Sequence, residues 1–180
     1  MTRPMTTLMT TSAPTRPANE EIMAWLRDIP DPEIPVLSIV DLGIIRQIAW
    51  KQQEDLCVVS VTPTYSACPA FAVIQQNILA ALQAHGVRAH IQVLLSPPWT
   101  TDWMSPQAAE KLRHFHIAPP APAQQEQMLP LFALPPQAPP QCPHCGSGHT
   151  TLLSQFGSAL CRSLYRCEDC REPFDLFKSL

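Results

Sequence analysis

The feature that most constrains this chain is a pair of Cys-x-x-Cys motifs near its end. Cys142-Pro-His-Cys145 and Cys167-Glu-Asp-Cys170 are separated by 21 residues. Each pair is short enough to grip one tetrahedral ion, and the residues between can form a small hairpin. Residues 142–180 number fewer than 40, too few to bury enough apolar surface to fold unaided. A metal held by Cys142, Cys145, Cys167 and Cys170 supplies the missing stability, because ligation and folding are then one event. Zinc suits a closed thiolate shell in a ribbon, and iron would use the same ligands. His144 and His149 lie close enough in sequence to substitute, but four cysteines already complete the shell. Cys161 reads as a packing residue on a strand.

Seven cysteines, an odd number, in a chain without an export signal favour metal binding or reactive thiols over a disulfide framework. The threonine-rich first 18 residues carry no acidic residue and no hydrophobic signal-peptide core. They are expected to be a disordered tail on a cytoplasmic protein, with Met5 and Met9 as alternative starts. No apolar run approaches the ~20 residues of a membrane helix. A net charge of -3 argues against a strong nucleic-acid binder. The tail sets Arg162, Arg166, Arg171 and Lys178 against Glu168, Asp169, Glu172 and Asp175, which leaves no basic face.

Residues 118–141 hold eight of the 21 prolines and read as a semi-stiff linker. It divides an α+β unit, residues 19–117, from the metal-bound ribbon, 142–180. In the first unit Asn19 is expected to cap a helix striped by Ile22, Trp25, Leu26 and Ile29 and ended by Pro30 and Pro32. Residues 44–50 and 56–62 read as a hairpin around a polar turn. A helix opens at Pro69 and closes at Gly86. Val87, Ala89, Ile91, Val93 and Leu95 then alternate with polar residues as a third strand, buried on one face. Ser105-Pro106 begins a last helix ending near His114. The order α-β-β-α-β-α implies a helix-covered, mixed three-stranded sheet.

Three stretches of this unit carry chemistry. With Pro69 as first helical residue, Cys68 becomes the N-cap, where free N–H groups and the helix dipole favour a thiolate; the alternative is a small buried filler. The loop Asp28–Ile45 carries Asp31 and Glu33 between closely spaced prolines, as metal-binding or steering groups or as ordinary turn chemistry. Trp99 and Trp103 pack over the sheet end or form a docking surface. A thiol enzyme using Cys68 with His85 or His90 as base lacks a supporting motif.

Taken in order, "DPEIPVLSIVDLGIIR", "TPTYSACPA" and "PPWTTDWMSPQAAEKL" resemble the SufT-like iron–sulfur assembly domain over residues 20–117. With the cysteine-rich tail, the whole is similar to the PaaD-type family of accessory proteins of the bacterial phenylacetyl-CoA epoxidase system. The resemblance implies an accessory, non-catalytic role in aerobic phenylacetate degradation, assisting assembly or delivery of iron–sulfur clusters or iron. Its implied partners are the oxygenase or the flavin and iron–sulfur reductase components, or a second copy in a homodimer. It casts Cys68 as the ligand for a transient cluster or iron, Asp31 and Glu33 as its acidic loop, and Thr62 as the strand end facing that cysteine. The alternative role is a structural docking component.

Overall fold

Ile22 and Leu26 lie one helical turn apart and both are fully buried, which fixes the face that helix α1 (Asn19–Arg27) turns to the core. A computed structural model describes residues 16–121 and 139–179 of the chain. Residues 1–15 of the expected tail (1–18) and the middle of the expected linker, 122–138, lie outside the described residues. Among the described residues no helix is long and apolar enough to cross a membrane.

The helix cap differs from expectation. Ala18 holds the extended N-cap conformation, and Asn19 is already helical. Its side-chain amide is drawn across the core edge, where it donates to the Ile48 carbonyl at 3.2 Å, so a long-range partner outcompetes the local cap.

Strands β1 (Ile45–Lys51) and β2 (Leu56–Val61) pair antiparallel, and β3 (Ala89–Val93) joins β2 in parallel. This is the expected mixed sheet, in the order β1-β2-β3. The parallel crossover is helix α2 (Phe71–Ala84), which buries Ile74, Ile78 and Leu82. Its C-terminus is a double-bonded left-handed cap. Val87 N–H reaches the Leu82 carbonyl and Gly86 N–H the Gln83 carbonyl, both at 2.9 Å, and Gly86 supplies the positive φ of 75°. The one-sided burial expected of β3 fades along its length: Val87 is buried, but Val93 and Leu95 are exposed, because β3 is an edge strand. Helix α3 (Pro106–His114) starts after Ser105 as expected, with Ala108 and Leu112 inward.

Asp41 ties α3 to the loop before β1. Its carboxylate accepts from Lys111 Nζ at 2.6 Å, from the Ser38 N–H and hydroxyl at 2.9 Å, and from the Ser105 hydroxyl at 3.0 Å. Burial alone would push its carboxyl up; these four donors hold it down at about 2, from 3.8. Since the folded-state value is depressed, its contribution is complete above pH ~4 and is lost as pH falls from 3.8 through about 2. Asp41→Ala, which strands the buried Ser38 N–H, should cost about 3 kcal/mol at pH 7. The difference from wild type should shrink towards pH 2 in denaturant titrations.

The cysteine-rich tail builds a second sheet. β5 (Thr150–Ser154), β6 (Arg162–Cys167) and β7 (Pro173–Phe177) form an antiparallel meander. Its fourth strand is β4 (Ile117–Ala118), parallel to β7. The sequence places Ala118 at the start of the linker; it is instead 1% exposed inside the ribbon's sheet. Two residues of strand carry no readable alternation, and their partner lies at the far end of the chain. The two units also share a core: Phe177, Cys161 and Ala159 pack in one apolar cluster with Ile34, Leu37 and Trp99. The Trp99 and Phe177 rings meet edge to face at 6.1 Å.

Two candidate sites, a thiol cage and a thiol–carboxylate cleft

Each Cys-x-x-Cys pair of the ribbon is a tight turn released by a left-handed residue. Gly146 (φ 77°) follows the first pair and Arg171 (φ 67°) the second. Gly146 N–H returns to the Cys142 carbonyl at 2.8 Å, and Cys167 N–H bonds the Glu172 carbonyl at 3.0 Å. The turns bring all four sulfurs within 4.8 Å of one another. Cys142 and Cys170 are 3.7 Å apart, and Cys145 and Cys167 are 3.6 Å apart. A tetrahedron with metal–sulfur bonds of ~2.3 Å has edges of about 3.8 Å, so the cage fits one thiolate-bound ion.

The protonation pattern points the same way. Backbone N–H groups, first that of Cys170, lower the Cys167 thiol to about 7. A backbone N–H from Glu172 favours the Cys170 thiolate too, but burial and the neighbouring sulfurs outweigh it and push Cys170 up to about 12. One thiolate forms readily and the last requires a cation. The histidines stay outside this shell: His144 stacks on His116 at 4.4 Å, and His149 Nδ1 faces Asp169 at 3.4 Å. The ribbon's basic groups are likewise engaged, Arg166 and Arg171 with Glu168, Arg162 with Asp175, and Lys178 with the Leu160 carbonyl.

The second site begins in the proline loop. Ile39 N–H donates to the Ile29 carbonyl at 3.0 Å, Asp31 N–H donates to the Leu37 carbonyl at 2.8 Å, and Pro30 bridges Ser38. Within this closed loop Asp31 Oδ1 accepts from Glu33 N–H at 2.9 Å and Ile34 N–H at 2.7 Å. Burial nonetheless raises the Asp31 carboxyl, against the pull of those two amides and of Arg162. Turn chemistry therefore employs one Asp31 oxygen and leaves the other unengaged by hydrogen bonds among the described residues.

Cys68 is not an N-cap. Helix α2 starts at Phe71 after Ala70, and Cys68 heads a reverse turn whose Pro69 takes the second position. Phe71 N–H closes that turn on the Cys68 carbonyl at 3.2 Å. The expected thiolate bias is also reversed. Burial pushes the thiol up, and the amides of Ala70 and Phe71, which favour the thiolate, are outweighed with Glu33 and Asp31 adding to the rise. Thr62 follows β2, is 2% exposed and gives its N–H to Ile44 at 3.0 Å. No hydrogen bond links its hydroxyl to Asp31, Glu33 or Cys68 among the described residues.

The tryptophan loop packs. Trp99 is buried and donates Nε1–H to the Leu42 carbonyl at 2.8 Å; Trp103 is half-buried beneath the Arg46 guanidinium at 3.4 Å. His85 caps the C-terminal end of α2, the end opposite Cys68, and lies flat on Trp25 at 3.8 Å. One contact of the acidic loop was missed from sequence, that of Arg162, while Cys161 packs in the apolar core as expected. Arg162 Nη2 donates to the Glu33 carbonyl at 3.0 Å while Nη1 holds Asp175 at 3.0 Å. An open groove of about 640 Å³ runs alongside, lined among others by Glu33, His116, His144, Phe156 and Arg162.

Residues 131–178 match the family model described as the PaaD zinc beta ribbon domain, and residues 19–93 match the model described as iron–sulfur cluster assembly protein. The D component of 1,2-phenylacetyl-CoA epoxidase from Escherichia coli (strain K12) is 47% identical over 165 residues, covering 91% of this chain and 94% of that one. An Fe-S protein maturation auxiliary factor of Porphyromonas gingivalis (strain ATCC BAA-308 / W83) is 33% identical over 95 residues, 52% of this chain and 89% of its own. Among solved structures, a DUF59 domain from Bacillus anthracis is similar at 25% identity and a TM-score of 0.48, over 52% of this chain and 89% of that one.

Proposed function

The chain belongs to the PaaD-type family of phenylacetyl-CoA epoxidase components, and from that premise we propose that it is an accessory maturation factor of a multicomponent phenylacetyl-CoA epoxidase. On this reading it assists assembly or delivery of iron or an iron–sulfur cluster, and it does not itself catalyse epoxidation. What supports the reading is the match of residues 19–93, the stretch that carries Asp31, Glu33 and Cys68, to the iron–sulfur assembly family, in which the charges of Glu33 and Asp31 add to the rise that burial imposes on the half-buried Cys68 thiol. Two carboxylates beside a thiol oppose a free thiolate but favour a thiolate paired with a cation. The cleft therefore holds its thiol protonated until a metal arrives, which suits a carrier that must let its cargo go. One cysteine supplies a quarter of the usual thiolate shell of a cluster.

The Cys142, Cys145, Cys167 and Cys170 cage holds zinc on this reading, as a structural ion. Closed four-thiolate shells keep no open position for substrate. Its role is to fold the ribbon whose strand β6 carries Arg162 against the cleft.

The test is the cluster content of the epoxidase reductase component matured in cells. Cys68→Ala should lower its iron and acid-labile sulfide severalfold while leaving its polypeptide level unchanged. Full cluster content in that background would refute the transfer role. A second reading, a structural docking component, draws on the exposed Leu152, Leu153 and Phe156 on and beside edge strand β5. It requires co-purification with the oxygenase at fixed stoichiometry, indifferent to Cys68→Ala.

A further inference from the structure

Between Cys57 and Asp102 lie 44 residues, of which Arg88 alone is acidic, lysine or arginine. At the chain's 15% charged content about seven would stand there. Burial accounts for the core-facing part of this stretch but not for the rest. Helix α2 exposes Ala72, Val73, Gln76, Leu79, Ala80 and Gln83, on faces where a solvated helix ordinarily carries charge. Strand β3 and the residues after it expose Gln92, Val93 and Leu95, the last at 62%. Because the crossover leads from β2 through α2 to a parallel β3, α2 runs back over the sheet. Its first turn, with Val73, therefore lies at the same end of the sheet as Val93 and Leu95.

β3 is also the least protected sheet edge among the described residues. The Arg88 carbonyl accepts from Cys57 N–H, and Leu94 N–H donates to the Val61 carbonyl, both at 2.8 Å. Even-numbered residues of this strand thus turn their backbone to β2, and the N–H and C=O groups of Ala89, Ile91 and Val93 face away from the sheet. No hydrogen bond engages them among the described residues. The other edges are blunted by devices that discourage pairing. β1 breaks register at Arg46 and ends on Lys51, β5 breaks register at Leu153, and β4 has only two residues. β3 keeps an unbroken register over five residues, with no bulge, proline, lysine or carboxylate.

We propose that the edge of β3, with the uncharged face of α2 beside it, is an interface between two copies of this chain. β3 pairs antiparallel with its own counterpart about a two-fold axis and joins two three-stranded sheets into one of six strands. A two-fold interface sets one patch against itself, where like charges would oppose each other; a face without charge is complementary to its own copy, and depletion of charge marks interface cores. Antiparallel pairing satisfies the outward N–H and C=O groups of both copies reciprocally, and Val73, Val93 and Leu95 gain cover from water. Arg88 stands at the N-terminal end of the strand and bonds the Glu54 carbonyl at 3.4 Å, so the two copies of it fall at opposite ends of the interface. The proposal stands independently of the maturation reading.

The experiment uses the full, zinc-loaded chain in sedimentation equilibrium and amide hydrogen exchange. A single chain is 20.0 kDa. Wild type should sediment at twice that mass at about 100 μM and dissociate on dilution, with a Kd on the order of micromolar for an interface at the small end of the usual range. The peptide 89–95 should exchange at least about tenfold more slowly in the dimer than in the diluted chain. Val93→Lys and Leu95→Lys, both at exposed positions, should each raise Kd at least about tenfold by burying an unpaired charge, with zinc content and the thermal unfolding of the diluted chain unchanged. A wild type that stays monomeric at the higher concentration overturns the inference, as does a dimer that neither variant weakens. Slow exchange of 89–95 at every dilution would assign the edge to another segment of this chain, and protection conferred only by the epoxidase reductase component would assign it to a different protein. Either result overturns pairing between copies. Should a lysine variant misfold, Val93→Pro removes only an outward N–H: loss of the dimer supports the inference, and wild-type affinity overturns it.

Discussion

Cys167→Ala is expected to strip the ribbon of its metal and melt β5, β6 and β7 together. Cys167 is fully buried and is the sulfur that backbone amides favour most as thiolate, so its loss removes the ligand that forms first. A structural zinc site contributes about 10–16 kcal/mol of binding free energy that is also folding free energy, and the ribbon's small apolar cluster, itself built on Cys142 and Cys167, is too small to replace it. The damage should extend beyond the ribbon. Phe177 is 1% exposed and packs against Trp99 of the first unit, so its release forfeits about 2 kcal/mol of burial there. The measurement is zinc stoichiometry together with thermal unfolding. Metal should fall from one equivalent to none, and the first unit should melt several degrees lower. Undiminished metal in Cys167→Ala would show that three thiolates suffice and would open the cage to a water or substrate position.

Gly43→Val should be the most damaging substitution in the first unit. Gly43 has φ 65°, and a Cβ placed there would stand 2.0 Å from the Trp103 carbonyl oxygen and 2.7 Å from its carbon. Those are backbone atoms, so no rotamer change relieves the overlap. The positive φ adds a further ~1–2 kcal/mol for a side-chain-bearing residue. Together the penalty should exceed about 4 kcal/mol, enough to unfold a marginal domain. The contrasting substitution is Gly86→Ala, where φ is 75° but nothing lies within 4 Å of the new Cβ. It should cost only about 1–2 kcal/mol, from backbone conformation alone. Equal losses at the two glycines in denaturant titrations would mean that the Trp103 contact is not rigid.

The helices and strands of the first unit were legible because their apolar periods are regular. Ile74, Ile78 and Leu82 recur at the helical spacing, and the run through β2 is apolar enough to mark a central strand. What misled was the punctuation. Pro69 suits a first helical turn, but it equally suits the second position of a reverse turn, and the latter is what Cys68 adopts. Asn19 suits a cap, but Ile48 offered its amide another acceptor. Cys68 illustrates the larger difficulty. Burial by the folded chain, with Glu33 and Asp31 from more than thirty residues earlier adding to it, reverses the protonation expected from local position.

By itself the sequence determined the thiol cage, because each short turn presents two cysteines by local geometry and the β5–β6 pairing between the turns brings the two pairs together. It also determined the mixed sheet and its helices, through hydrophobic period. Only the tertiary structure decided that the ribbon closes on the acidic loop. The bond from Arg162 to Glu33 spans 129 residues, and β4 reaches β7 across the proline-rich stretch. Such contacts depend on which buried surfaces meet once each unit has folded, and no pattern within either segment encodes its partner.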